Sequence, residues 1–468
     1  MGVDFMLKEI ALNIEKRFGV SNGTLFFMLS ALMVKVIGAI YKIPLYNLLG
    51  SGGVGLYQMV FPLYALLLTL SSGGIPSGMT KLISCGYNGE VVLKKSLKIF
   101  LPAGIIFSLL LFIFGKNIAV AQGDYLAGRL YLAISPAIVL VCLIGCFRGY
   151  FQGKSNFFPT ALSQLVEQTV KAISGIIALF FVNGSYEIKA FWACLAVTFS
   201  EIIAFVFLLV KFVKNKKLKS GEDEVVNLNH LDYKQLLSVI LPLTLSSLCL
   251  PFASFIQSFI AVNLLKKVYF ADATAVYGVY TGGVEVMIGL PVAVLHSLSL
   301  GFLPKIKSEL DQKRSLIVVF LLSIACAIGV CLFAPFASKL LFGGANKYFD
   351  LLVKLLRYAS INILLHSTLH ATAFIMLSLN EQKKSFVFLA VGAILKVVLD
   401  FVLIANPKIS VFGMIISDAG CYFVALILNL IYIKYINKNK TMGSVDENYF
   451  NRLGRRRKFS FRKSACKN

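Results

Sequence analysis

Charged residues are scarce in this sequence, and acidic residues are the scarcest. Only 15% of the 468 residues are Asp, Glu, Lys or Arg, whereas 58% are hydrophobic. An average soluble domain has about 25% charged residues and is not built from one long apolar run after another. The composition therefore excludes a soluble globular protein, and it predicts an all-α polytopic membrane protein.

The motifs of several enzyme classes are also missing. The sequence has no P-loop, no nucleophile elbow and no zinc motif. Its nine cysteines form no CxxC pair, so we expect small buried residues and not disulfides or metal ligands. His366 and His370 have a metal-ligand spacing, but no HExxH pattern accompanies them. We expect no enzyme, no cofactor and no metal, and histidines that are packed or line a cavity.

About twelve apolar segments are long enough to cross a bilayer, which takes roughly 20 residues each. The polar linker 211-235 divides them six and six, which predicts an N-lobe at 21-210, a C-lobe at 236-435 and a central cavity between the two lobes. The predicted spans are 21-43, 53-80, 97-115, 128-147, 158-182, 188-210, 236-263, 275-303, 315-341, 352-378, 385-406 and 411-433.

The excess of 46 basic over 22 acidic residues is mostly explained by topology. With a cytoplasmic N-terminus, most Lys and Arg fall in cytoplasmic segments, as the positive-inside rule requires. Residues 1-20 are predicted to be an amphipathic cytoplasmic segment and not a signal peptide. The basic tail 436-468 is predicted to contact anionic membrane lipids. Without an RNA-reading motif, we expect no nucleic acid partner and a multi-pass cell membrane protein with both termini cytoplasmic.

Charges inside the predicted spans identify candidate functional residues, because such side chains usually face a bundle interior or a watery cavity. Lys35 either faces a cavity or forms an interhelical salt bridge. Glu167 and Lys171, on a polar stripe of the fifth span, either pair with each other or line a cavity. The candidate substrate-binding residues are Lys35, Arg148, Gln152, Gln164, Glu167, Gln168, Lys171, Glu285, Lys396 and Asp400.

The carboxyl group of Glu285 has three open interpretations. It is protonated and silent, it pairs with a cation such as Lys35, or it takes part in ion coupling. Asp418 in the twelfth predicted span is open in the same way.

Glycines and prolines indicate where the predicted helices pack closely or bend. Gly145, Gly149 and Gly153 recur every four residues, which lets another helix approach along one face. The second and eighth spans are predicted to be interrupted or kinked. Their hinge candidates are Gly74, Pro76 and Pro291.

Four pieces of the sequence together resemble a known transporter family. They are Lys35 to Pro44; Gly55 to Gln58 running on to Gly74-Ile75-Pro76 and Lys81; Ser135-Pro136 through Arg148-Gly149-Tyr150-Phe151-Gln152-Gly153 to Pro159 and Ser163 to Gln168; and Lys396 with Gly413. The chain is similar to the polysaccharide-biosynthesis and stage V sporulation protein B group of the multidrug/oligosaccharidyl-lipid/polysaccharide exporter superfamily. This group is related to the lipid II flippase.

The resemblance implies a two-lobe, alternating-access flippase that moves an undecaprenyl-pyrophosphate-linked oligosaccharide to the outer leaflet, with lipid II as one candidate. It also implies cell-envelope synthesis proteins as candidate partners. Lys35 and Arg148 are expected to bind the headgroup, because the polar residues of the spans carry a net charge that favours an anion. Sporulation-type members often have fourteen spans, whereas about twelve are expected here.

Three other functions remain open at this point. A cation-coupled multidrug exporter would need an acidic rather than a basic cavity. A membrane-embedded glycosyltransferase or polymerase would use Glu167 or Glu285 as general base, and it would need larger extramembrane loops than this sequence offers. A non-transporting scaffold would tolerate replacement of every polar residue in the spans.

Overall fold

The computed structural model describes residues 22–70, 74–218, 231–302, 306, 308–342, 347–379 and 381–452. Within these ranges the long regular elements are all helices, which confirms the all-α prediction. The amphipathic segment predicted at 1-20 lies outside the described residues, as do most of the linker and the end of the basic tail.

In the described residues, the first half of the chain forms seven helices. They are α1 (Asn22–Thr69), α2 (Ile75–Ser84), α3 (Gly89–Gln122), α4 (Ala127–Ile134), α5 (Ala137–Gly153), α6 (Phe158–Phe181) and α7 (Tyr186–Leu218). The second half begins with α8 (Tyr233–Tyr269) and α9 (Ala273–Gly278). A π-helical turn at Val279–Val284 leads into α10 (Glu285–Phe302). The remaining helices are α11 (Glu309–Leu332), α12 (Ala334–Phe342), α13 (Phe349–Ala359), α14 (Ile361–Ser378), α15 (Gln382–Ile404) and α16 (Phe412–Arg452).

Ten helical segments of the described chain are long and apolar enough to cross a membrane. Two of them contain two predicted spans each, which reconciles this number with the twelve predicted crossings. Gly50 joins the first and second spans inside α1 with a non-helical backbone (φ 65°, ψ 174°). That conformation is easy for glycine and costly for other residues, and it forms a kink between two helical stretches of α1. The second such segment, Leu248–Ser299, runs through the predicted seventh and eighth spans.

The helices form two groups that match the two predicted lobes. Helices α1 to α7 pack mainly on one another, and so do α8 to α16. The groups meet where α1 packs on α8, α9, α10 and α12, and where α2 and α3 pack on α8. The contact between α2 and α8 depends on glycine, because a Cβ at Gly78 would lie 2.6 Å from Cγ1 of Ile240.

The two lobes are also bonded at the predicted outer end of the bundle. A Cβ at Gly278 would lie 2.6 Å from Cα of Gly55, so the backbones of α1 and α9 are in direct contact. Side chains cross the same boundary in three hydrogen bonds: Thr274 Oγ1 to Asp124 Oδ2 at 2.7 Å, Asn263 Nδ2 to the Ala121 carbonyl at 2.7 Å, and Gln122 Nε2 to Ser258 Oγ at 2.7 Å. The described state is therefore closed at this end.

Thr274→Val is expected to shift the lobes toward opening at the predicted outer end. It removes one inter-lobe hydrogen bond, which contributes about 0.5–1.5 kcal/mol. The inter-lobe distance is measured by double electron–electron resonance. The spin labels are attached to cysteines that replace two exposed residues, Tyr125 and Lys267. The control is Ser108→Ala, which removes a 2.8 Å hydrogen bond to the Ser135 carbonyl within one lobe. A distance distribution equal to that of the control would contradict the expected role of this contact.

The glycine repeat predicted at 145–153 packs α5 closely against α2. A Cβ at Gly149 would lie 2.8 Å from Cβ of Met79 and 3.0 Å from Cα of Pro76. A Cβ at Gly153 would lie 2.5 Å from Cδ1 of Ile83. The close-packing interpretation of these two glycines is confirmed.

Gly149→Leu is expected to destabilise the protein by about 1–3 kcal/mol, because the new side chain has no space beside Met79. The measurement is the thermal unfolding midpoint in detergent. The matched control is Gly329→Leu, since nothing lies within 4 Å of a Cβ placed at Gly329. Equal midpoints for the two variants would show that α2 does not constrain this position.

The hinge role of Gly74, Pro76 and Pro291 remains a prediction. Helix α1 ends at Thr69 and α2 begins at Ile75, and residues 71–73 between them lie outside the described residues. Gly74 packs against Thr244 of the other lobe, and Pro76 lies in the first turn of α2. Pro291 lies inside α10, which continues through it.

Candidate functional site

The polar residues of the spans converge on a central cavity between the two lobes. The cavity has two compartments, of about 390 and 520 Å³. We call the first the tyrosine compartment, since Tyr277, Tyr280 and Tyr422 line it. The second is the histidine compartment, lined by His296 and His370. Both contain Lys42, Phe61, Glu285, Val286, Gly289 and His366, so the two compartments adjoin.

Lys42 and Glu285 line both compartments and lie where the two adjoin. Lys42 follows Lys35 by seven residues, two helical turns, so both lysines project from one face of α1. The Lys42 ammonium lies 5.4 Å from the ring centre of Phe61. Glu285 is the first residue of α10, directly after the π-helical turn, and its side chain is exposed in the cavity. A cation and an anion are therefore placed where the compartments meet.

The histidine compartment receives its charge from the N-lobe. Lys35 and Lys171 line it, as does Gln168. Gln168 and Lys171 are three residues apart on α6 and so share one face of that helix. The ammonium of Lys171 lies 5.9 Å from the ring centre of Tyr64. For Lys35, the structure favours the cavity over the interhelical salt bridge, since its side chain is exposed.

In the tyrosine compartment the charge belongs to the C-lobe. Lys396 of α15 forms a buried ion pair with Asp418 of α16. Tyr280 donates a hydrogen bond of 2.5 Å to the other carboxylate oxygen of Asp418. Gln58 crosses from α1 and donates to the Thr281 carbonyl at 2.8 Å. The Lys396 charge is thus held by an acidic partner, whereas among the described residues no carboxylate lies within ion-pair distance of Lys35, Lys42 or Lys171.

Four aromatic rings form a continuous column along the C-lobe wall of the cavity. His366 stacks on Tyr422 with a centroid separation of 4.2 Å and an interplanar angle of 7°. His370 stacks on His366 at 4.6 Å, and the edge of His296 meets His370 at 4.5 Å. The histidines are therefore both packed and cavity-lining. In the described part of the chain, no group of three or more His, Cys, Asp and Glu side chains is arranged to hold a metal ion.

The ionised side chains make the cavity basic. Four lysines and two carboxylates line the two compartments, which gives a formal charge of +2 with neutral histidines. An ionised group in a water-poor cavity interacts more strongly with an opposite charge than it would at a protein surface. The arrangement therefore favours a ligand with about two negative charges.

Arg148 and Glu167 lie inside the N-lobe and are not among the cavity-lining residues. Arg148 is fully buried, with its Nη2 donating to Glu167 Oε2 at 2.8 Å and its Nε donating to Ser163 Oγ at 3.0 Å. Glu167 Oε1 accepts a hydrogen bond of 3.3 Å from Gln168. The cationic partner of Glu167 is thus an arginine on the neighbouring helix and not Lys171. The structure does not bring Arg148 to the other predicted headgroup residues.

Three more predicted site residues are not among those that line either compartment. Gln152 and Gln164 are half-buried in the N-lobe. Asp400 is fully buried beside the tyrosine compartment. Its Oδ1 accepts hydrogen bonds from Gln257 Nε2 at 3.1 Å and from Ser417 Oγ. Lys396, four residues earlier on α15, pairs with Asp418 instead.

The most central cation, Lys42, was missed as a site residue in the sequence analysis. It lies near the predicted outer end of the first span, where a lysine is normally attributed to snorkelling. The available signal was its spacing of seven residues from Lys35, which places both on one helix face. Gln58, Asp418 and the histidines were also visible as intramembrane polar residues, but nothing in the spacing assigned them to this cavity.

Comparisons with known proteins agree with this architecture. A family model described as polysaccharide biosynthesis protein matches residues 20–308. Stage V sporulation protein B of Bacillus subtilis is 26% identical over 413 residues, covering 84% of this chain and 79% of the relative. The lipid II flippase MurJ of the same organism is 24% identical over 453 residues, covering 88% of this chain and 82% of the relative. Neither name states an enzymatic activity.

Solved structures show the same fold at low sequence identity. A structure of the lipid II flippase MurJ in an inward closed conformation superposes with a TM-score of 0.70 at 13% identity, covering 93% of this chain and 94% of that one. An inward-facing multidrug resistance transporter of the MATE family has a TM-score of 0.66 at 15% identity, covering 88% and 98%. The chain therefore has the two-lobe transporter fold and is a multi-pass membrane protein.

Proposed function

Because this chain belongs to the polysaccharide biosynthesis protein family, we propose that it is a flippase for an undecaprenyl-diphosphate-linked oligosaccharide. Lipid II is one candidate substrate, as the name of one relative suggests. The headgroup enters the central cavity from the cytoplasmic leaflet and leaves toward the outer leaflet, while the lipid tail stays in the bilayer. Both termini are cytoplasmic in this proposal.

The observation that carries the proposal is the basic cavity. Its lining has a formal charge of +2, which is opposite in sign and similar in size to the charge of a diphosphate diester at neutral pH. Lys35, Lys42 and Lys171 supply ammonium groups that have no carboxylate within ion-pair distance in the described part of the chain, so they are the groups that bind the phosphate oxygens. A lysine held by an acidic partner, as Lys396 is, contributes less to a new anion.

The sugar is recognised by neutral groups on the cavity wall. The His366–Tyr422 stack offers flat apolar faces, and the amides of Gln58, Gln168 and Asn362 offer donors and acceptors for hydroxyl groups. Binding sites for small molecules commonly combine aromatic walls with a few placed polar groups. The residues that select the sugar are therefore expected among these neutral groups of both lobes rather than at Lys35.

Transport requires the closed end of the bundle to open. The inter-lobe hydrogen bonds at the predicted outer end and the glycine contact of Gly55 with Gly278 break in the outward-open state. Closure on the opposite side then involves the surfaces of α1 and α10 near Lys35 and His296, which face each other across the histidine compartment.

The proposal is tested by depleting this protein from cells in which the related flippases are deleted. Outward exposure of lipid-linked precursors is then measured with an impermeant enzyme or lectin added outside. We expect exposure to fall while the total precursor pool rises. Unchanged exposure would refute the proposed function.

A cation-coupled multidrug exporter is the second candidate, and Glu285 is the observation that favours it. Its carboxyl group is exposed in the cavity where the compartments meet and could bind a cationic compound. This function predicts that deletion sensitises cells to cationic drugs and that Glu285→Gln has the same effect. The lysines around Glu285 oppose it, because a cation would enter a site that is already positive.

A further inference from the structure

A second cavity lies outside the central one, at the predicted cytoplasmic end of the C-lobe. It has a volume of about 460 Å³ and is formed by α11, α14 and α16. Its apolar floor contains Leu316, Leu430 and Ile433, and its basic rim contains Lys313, Lys434 and Lys438. We call it the lysine groove.

We propose that the lysine groove binds an anionic phospholipid. Its headgroup phosphate contacts the three lysines, and one acyl chain lies against the apolar floor. This inference goes beyond the proposed function, since it concerns a lipid that is bound and not transported.

The position of the groove relative to the membrane supports a lipid. Lys313 precedes the predicted ninth span, which begins at 315, and Lys434 follows the predicted twelfth span, which ends at 433. The lysines are therefore placed at headgroup depth, whereas Leu316, Leu430 and Ile433 fall within the hydrocarbon layer. A soluble phosphate compound has no apolar chain that could pack against this floor.

Charge selects an anionic lipid over a zwitterionic one. The rim has three lysines and one carboxylate, Glu309, which pairs with Lys313 at 2.9 Å. Lys434 and Lys438 are four residues apart and lie on one face of α16. Basic groups at this depth attract anionic lipids, and basic pockets between membrane helices bind anionic lipid headgroups.

The base of the groove is fixed by protein contacts. Asn437 Nδ2 donates a hydrogen bond of 2.9 Å to Gln312 Oε1, which connects α16 to α11. Ile375 and Ile433 are buried in the same small apolar cluster. The groove is thus a structured surface on which a lipid can bind in one position.

The test is native mass spectrometry of the full chain in mild detergent, titrated with phosphatidylglycerol or with phosphatidylcholine of the same acyl composition. Wild type is expected to bind the first phosphatidylglycerol about tenfold more tightly than phosphatidylcholine. Lys434→Gln with Lys438→Gln should remove about tenfold of that affinity. The matched control is Lys383→Gln with Lys384→Gln, two exposed lysines at the same end of the bundle, which should bind as wild type does.

Three results would overturn the proposal. An equal loss in both double variants would mean that the lipid responds to overall charge and not to the groove. Equal binding of the two phospholipids by wild type would exclude charge selection. Displacement of bound phosphatidylglycerol by glycerol phosphate at a similar concentration would show that the acyl chain contributes nothing.

Discussion

Glu167→Leu is expected to destabilise the protein by about 3–5 kcal/mol, because it leaves the buried Arg148 guanidinium without its ion-pair partner. Arg148 is fully inaccessible and Glu167 is 2% exposed, so water cannot replace the lost partner. A loss of this size is a large part of the total stability of a typical protein, about 5–15 kcal/mol. The measurement is the fraction of monodisperse protein after extraction, together with the unfolding midpoint.

The control is the double variant Arg148→Met with Glu167→Leu, which removes both charges. We expect it to recover most of the stability, since replacing a buried ion pair by apolar groups is often neutral. It also separates a packing role of Arg148 from the substrate-binding role that was predicted for it. A stable double variant that still transports would assign the pair to packing, whereas a stable but inactive one would return Arg148 to the substrate site. If Glu167→Leu alone were as stable as wild type, the pair would not be the buried contact described here.

Lys42→Gln is expected to reduce transport about tenfold to a hundredfold with little effect on folding. A hydrogen bond to a charged group contributes about 1.5–3 kcal/mol, and each 1.4 kcal/mol is a factor of ten in affinity. Lys42 lines both compartments, so an anion in either one is within reach of its ammonium. The rate is measured as outward exposure of lipid-linked precursor per molecule of protein in the membrane.

Two variants keep this prediction specific. Lys42→Arg retains the positive charge and should retain most of the transport, although the shape of the donor group changes. Lys98→Gln removes an exposed lysine of α3 that does not line the cavity, and it should transport as wild type does. Full activity of Lys42→Gln would remove this residue from the headgroup site.

The sequence predicted the spans and lobes well because hydropathy and proline or glycine interruptions are local signals. Apolar length alone identified the crossings, and the four-residue repeat of Gly149 and Gly153 identified a face on which α2 packs. Lys35, Lys171 and Lys396 were named as candidate site residues from their position inside apolar helices, with ion pairing left open for the first two, and all three line the cavity.

The pairing of charges could not be predicted in the same way. Periodicity shows which residues share a face of one helix, but it does not show which neighbouring helix covers that face. Glu167 pairs with Arg148 on α5 instead of Lys171 one turn away, and Lys396 pairs with Asp418 on α16 instead of Asp400. In both cases packing between helices, not spacing along one helix, decides which cation remains available to a ligand.

The distribution of charge connects structure to function. Each lobe pairs one buried cation internally, and three lysines for which the described residues offer no carboxylate within ion-pair distance, Lys35, Lys42 and Lys171, line the cavity. The buried ion pairs of the lobes therefore do not need a ligand, while the cavity between the lobes has an excess of positive charge until an anion binds. This arrangement suits a carrier whose lobes move as units around a bound headgroup.

The central claim is tested most directly by reconstituting the purified protein into vesicles with a fluorescent undecaprenyl-diphosphate-linked saccharide. An impermeant reagent then measures how quickly labelled headgroups from the inner leaflet become accessible outside. The account predicts rapid exchange with wild type, and exchange at least tenfold slower with Lys42→Gln. Exchange no faster than in empty vesicles for wild type, or equally fast for wild type and Lys42→Gln, would contradict it.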